Sequence, residues 1–258
     1  MKHLNYSYRN FFKSLIMSVL IAIPVAASGL EVPARTAIPI IFSHTLDSRK
    51  AKVGDAVNAK TLQVVRLPSG EEISKHSSVL GHVIAVNAVA QGTSSSKLAV
   101  QFDSIVVEKQ SIPVRVFVRA LASPNESYEA MGPTPSVGSD VLETTALIGG
   151  DYFYLVDKHL YSPNGKVVGE NRGNGVFARL ASSACSERGG GDCCAGTDTV
   201  QSLGIYSPTA CGLYGFGDTE MTDAGDANQS GIFTLESSDS FVRIWGRSTA
   251  LLQVVGHI

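Results

Sequence analysis

Apolar and polar residues alternate along much of the chain. In TAIPIIFSHTL (36–46), Ile38, Ile40 and Phe42 share one face. AVNAKTLQVV (56–65) repeats the pattern, and SSVLGHVIAVNAV (77–89) carries it through Val79 and Val83. SKLAVQFDSIVV (96–107) sets Leu98, Val100 and Phe102 against Gln101 and Asp103. SIPVRVFVRALA (111–122) sets Ile112, Val114, Val116 and Val118 against Arg115 and Arg119. A period of two predicts half-buried strands, because successive strand side chains point to opposite faces. The runs are punctuated by turn-forming stretches: LDSRKAKVGD, LPSGEE and AQGTSSS. Several strands in under ninety residues, with no helix between them, imply antiparallel pairing. Closure into a small barrel or sandwich removes the exposed edges.

The pattern breaks at SPNESYEAMGPTPSVGSD (123–140), which is rich in Pro, Ser and Gly and reads as a long surface connection. Strand-like runs then resume. YFYLVDKHLYS and KVVGENRGNGVFARLA flank the turn SPNG, and VQSLGIYS and CGLYGFGD follow. The C-terminal run from Ser230 adds two or three more strands. The expected class is all-β: a small antiparallel barrel or sandwich, then a second β-rich lobe, preceded by an N-terminal signal helix. The expected boundaries are 1–28 for the signal, 33–122 for the barrel, 123–145 for a linker and 146–258 for the second lobe.

The signal reading rests on Lys2, Arg9 and Lys13 ahead of the apolar stretch SLIMSVLIAIPVAA, with small residues following. Fourteen residues are too few for an ordinary membrane span. Export predicts a secreted or periplasmic protein of the bacterial envelope, with no membrane span after cleavage. Charged residues are only 17% of the chain and glycines number 25, which suits a secreted β protein. Without the signal's three basic residues, 18 Lys and Arg face 23 Asp and Glu. No basic stripe remains, which argues against a nucleic-acid partner.

Three stretches of the first half carry a family resemblance: Ser78 to Val83, Leu98 to Ile105, and Ile112 to Val118. Their order of strand, polar loop, L-x-V-x-F-type strand and I-P-V strand resembles the C-terminal β-barrel of TrbI-type proteins of conjugation and type IV secretion. The resemblance covers residues 36–122 and extends to related secreted bacterial proteins. It implies an envelope-facing β-barrel module and nothing catalytic.

The four cysteines, Cys185, Cys193, Cys194 and Cys211, all lie in CSERGGGDCCAGTDTVQSLGIYSPTACG. No C-x-x-C is present, and adjacent Cys193 and Cys194 point apart in extended backbone, which argues against zinc and disulfide-exchange chemistry. Adjacent Cα atoms, about 3.8 Å apart, also sit below the usual disulfide range. An even count in an exported chain predicts two disulfides, Cys185 taking one of the pair and Cys211 the other. DANQSGIF (226–233) matches part of a calcium loop, offering oxygens at Asp226, Asn228 and Ser230 and the Ile232 carbonyl. The twelfth position is Ser237 where a bidentate Glu is wanted, with Glu236 one place early. The competing reading is an Asp/Asn/Gly-rich hairpin loop bonding its own backbone.

No catalytic residue is assigned. FDSI and TDTV lack the glycine of an aspartic-protease motif, and neither G-x-S-x-G nor H-E-x-x-H occurs. Trp245, in FVRIWGR, reads as core, or as part of a glycan site with Tyr206 and Tyr214. The expected function is therefore a non-catalytic envelope module that binds a protein or surface polymer, with no cofactor. The alternatives are a secreted polysaccharide hydrolase and a calcium-stabilised surface protein.

Overall fold

The computed structural model describes residues 30–88, 95–131, 143–150, 152–171, 175–182, 196–222 and 231–255. The signal stretch and Cys185, Cys193, Cys194, Asp226, Asn228 and Ser230 lie outside them. The alternating runs become strands. They are β1 (Ala37–Phe42), β2 (Leu46–Asp47), β3 (Ala56–Thr61), β4 (Val65–Arg66), β5 (Glu72–Ile73), β6 (Ser78–Asn87) and β7 (Ser96–Val107). The run expected as one strand over 111–122 is two. β8 (Gln110–Pro113) folds back on β7, whereas β9 (Val116–Ala122) pairs elsewhere. Pro113 cannot donate to a ladder, so the run breaks beside it.

The stretch expected as a linker opens with a helix, α1 (Pro124–Met131). Six strands follow: β10 (Glu143–Ala146), β11 (Tyr152–Val156), β12 (His159–Tyr161), β13 (Val167–Asn171), β14 (Val176–Arg179) and β15 (Val200–Gly204). They form one antiparallel meander in sequence order. SPNG is the β12–β13 turn, closed by Ser162 N–H donating to the Lys166 carbonyl at 2.9 Å.

The remaining strands correct the expected domain boundary at 146. They are β16 (Gly212–Tyr214), β17 (Thr219–Thr222), β18 (Ile232–Ser237), β19 (Arg243–Ile244) and β20 (Thr249–Val254). All but β19 join the first sheet, whose order is β16-β9-β20-β1-β3-β6-β7-β18-β17, with β8 on β7. The two ends of that order, β16 and β17, are consecutive in the chain, so the sheet curls into a nearly closed barrel. Every pairing in it is antiparallel except β16 with β9. The barrel is thus split in sequence, and the six-stranded sheet is inserted into it.

The barrel interior holds the residues that alternation places there. Ile38, Ile40, Phe42, Val79, Val83, Leu98, Val100 and Phe102 are buried, joined by Phe233, Leu235, Ala250 and Leu252 from the late strands. Phe102 lies between Phe42 and Phe233, with ring centroids 6.0 and 6.2 Å away. Each such side chain contributes about 1.5–3 kcal/mol when fully buried. A bulge between Leu80 and Gly81 bends β6, and a side chain at Gly81 would collide with the Gln101 carbonyl.

The outer face of β1, β9 and β20 is also covered. Ala37, Ala120, Ala122 and Leu251 pack against Leu147, Phe153, Leu160, Leu203 and Tyr206 of the inserted lobe. This explains Arg119, expected on a polar outer face and found fully buried. A register shift between Leu251 and Leu252 leaves it at a bulge of β9. Its Nε donates to the Ala210 carbonyl at 2.9 Å and its Nη2 to the Ala181 carbonyl at 2.8 Å. Burial pulls its pKa down to about 10, against the attraction of Tyr214.

Candidate functional site

The helix α1 starts where local chemistry permits. Ser123 caps it, accepting at Oγ from Glu126 N–H at 3.4 Å. Pro124 takes the first helical position, where its missing N–H is not needed. Ser127 fixes the helix to the barrel: its Oγ donates to the Ser123 carbonyl at 2.7 Å and bonds Thr249 Oγ1 at 2.9 Å. Thr249 Oγ1 in turn bonds the Tyr206 hydroxyl at 2.8 Å. All three residues are buried, and burial raises the Tyr206 pKa well above that of a free phenol, so it stays protonated. The chain of hydroxyls ties α1, β20 and the end of the inserted lobe together.

Between α1 and the barrel runs a groove of about 600 Å3. Its walls include Ile41, Pro124, Asn125, Tyr128, Met131, Gly215, Trp245 and Arg247. Tyr128 is 73% exposed, Met131 48% and Trp245 36%. Trp245 is backed by Phe216, with ring centroids 5.4 Å apart. Residues 245–248 form a turn in which Ser248 N–H donates to the Trp245 carbonyl at 3.1 Å. Arg247 occupies its third position with φ 74°, a left-handed conformation usually left to Gly or Asn.

The surface continues across β19, which pairs with β2. Asp47 accepts from Arg49 Nη2 at 2.7 Å and from Arg243 Nη2 at 2.8 Å. The Arg49 hydrogen bond, helped by Arg243 and opposed by burial, holds the Asp47 carboxyl far below the usual carboxylate range. Phe241 lies against both cations, with Arg49 3.7 Å and Arg243 4.9 Å from its ring centroid.

Of the residues singled out in the sequence, Cys211 is described and is not a free thiol. Its N–H donates to the Tyr214 hydroxyl at 3.0 Å. Ile232 begins β18 opposite Gln101, and Glu236, in the same strand, pairs with Lys97 at 2.9 Å. Four strand residues span roughly 13 Å, so an ion held by the Ile232 carbonyl would not reach Glu236. Among the described residues no group of three or more His, Cys, Asp or Glu could hold a metal. Tyr206 is fully buried and lines no glycan site, because its ring packs between the barrel and the inserted lobe. Asp103, placed on the polar face of its strand, meets His82 Nδ1 at 2.7 Å on the barrel surface, a contact that only the β6–β7 register creates.

A second hollow, of about 830 Å3, lies over β13 and β14. Among the described residues it is lined by Val167, Val168, Phe177 and Leu180, with Arg66, Lys166, Arg179 and Glu170 as its charged side chains. The α1 groove is the better candidate, because it joins exposed aromatic rings to a cation on a fixed frame. No protein-family model, curated protein or solved structure matches the chain.

Proposed function

We propose that the chain is a non-catalytic binding module of the bacterial envelope, exported by residues 1–28, and that the α1 groove holds a polysaccharide of that envelope. The observation that carries this reading is the exposure of Trp245, Tyr128 and Met131 around one groove whose walls are held by buried hydrogen bonds. Large apolar side chains left in solvent on a rigid surface mark binding sites. Flat aromatic faces suit the C–H faces of sugar rings. No Asp or Glu lines the groove among the described residues, so it offers no carboxyl pair for glycoside hydrolysis. The same proposal includes the TrbI-like reading of the barrel and the two disulfides of the cysteine segment.

Co-sedimentation with insoluble envelope polysaccharide tests it. The full chain is expected in the pellet, and the Trp245→Ala/Tyr128→Ala double variant in the supernatant. Equal sedimentation of both would overturn the assignment of the groove.

A further inference from the structure

We infer that the groove takes an acidic polysaccharide and that Arg247 is its specificity-determining residue, an inference that rests on the binding function proposed above. The first support is the backbone at Arg247. Glycine occupies the second position of the 245–248 turn, while the third, which needs positive φ, holds Arg247. Glycine there would relieve the turn. Of the six non-glycine residues with positive φ among the described residues, Arg247 is the one that lines this groove, and such strain is concentrated at binding and catalytic sites.

The second support is charge. Arg247 and Lys50 make no ion pair among the described residues, and Arg49 and Arg243 together outweigh the single charge of Asp47. Arg243 and Trp245 alternate with buried Ile244 and so share the outer side of the strand, with Arg247 in the turn beyond. A run of cations beside aromatic rings is therefore set on a chain whose net charge is −2. The acids nearby are Asp55 and Asp47, which share the neighbouring hollow with Lys50, and Glu126 and Glu129 of α1, the latter accepting from Asn125 Nδ2 at 3.1 Å.

The third support separates a sugar from a peptide. A bound peptide strand draws on free backbone donors. Here Gly246 N–H is taken by Thr45 Oγ1, Arg247 N–H by the Phe42 carbonyl and Ser248 N–H by the Trp245 carbonyl. Ser123 N–H and Ser127 N–H are likewise bonded to the Tyr214 and Ser123 carbonyls. The groove offers rings and a guanidinium, which suit a carboxylated sugar.

The test is titration of the full chain with an oligogalacturonate, a neutral cellulose oligomer and an oligoglutamate. The oligogalacturonate should bind tightest, and its affinity should fall as salt rises toward about 1 M. Arg247→Gly should lose about tenfold of that affinity with Tm unchanged or higher, whereas Arg247→Lys should retain part of it. Equal binding of the neutral oligomer, with no effect of Arg247→Gly, would overturn the inference and leave the proposed function standing. Preferential binding of oligoglutamate would overturn both.

Discussion

Asp47 shows how much one side chain can organise. It accepts from two guanidinium groups and from the Arg49 N–H, and it fixes the turn after β2. Its folded pKa lies far below the value of about 3.9 expected in the unfolded chain. The unfolded state therefore binds more protons in that window, and stability falls as pH drops through it. Asp47→Asn should cost about 1–2 kcal/mol near neutrality, measured by urea unfolding. The gap between the two proteins should close progressively below about pH 4. A gap independent of pH would contradict the ion-pair account. Arg119 carries the opposite lesson. A lone Arg in an apolar strand reads as solvent-facing, and its burial follows from the inserted lobe, whose Ala181 carbonyl, 62 residues along the chain, accepts from its Nη2. Nothing local to β9 signals that.

At the scale of elements, β3 was legible because burial follows its alternation residue by residue, whereas β1 and β9 are covered on both faces. The helix was missed, its segment having been expected as a linker. Ser123-Pro124-Asn125-Glu126 has the spacing of a capping box, but eight residues are too short to display a periodic apolar stripe. What holds α1 is therefore tertiary: the hydroxyl chain through Ser127, Thr249 and Tyr206. Thr249→Val should cost about 1 kcal/mol, since it removes one hydrogen bond from each of the buried Ser127 and Tyr206 hydroxyls. It should also speed amide hydrogen exchange in 124–131 more than in β6 and β7. Uniform acceleration along the chain would argue that Thr249 does not anchor the helix specifically.

At the scale of the molecule, long-range pairing is the part that local pattern does not encode. β1 is flanked by β3 and by β20, and β7 by β6 and by β18, so the barrel needs strands from both ends of the chain. A fragment ending at residue 122 leaves β1, β7 and β9 with open edges and apolar faces uncovered. It should show no cooperative thermal transition by circular dichroism, whereas a folded fragment would contradict the split-barrel topology. The groove depends on the same closure, since α1 follows β9 and Trp245 precedes β20. It was legible only as single residues. Trp245 was read as core or as a glycan contact; Arg247 lies in its own turn, whereas Tyr128 and Met131 come from α1, a segment that the barrel brings to it.

Trp245 is the one tryptophan of the chain, so its fluorescence reports on the groove alone. Titration of the full chain with soluble envelope polysaccharide should give a saturable change in emission, abolished in Tyr128→Ala/Met131→Ala. Emission that stays constant to millimolar oligosaccharide, in a protein that still unfolds cooperatively, would contradict the claim that this groove is the binding site.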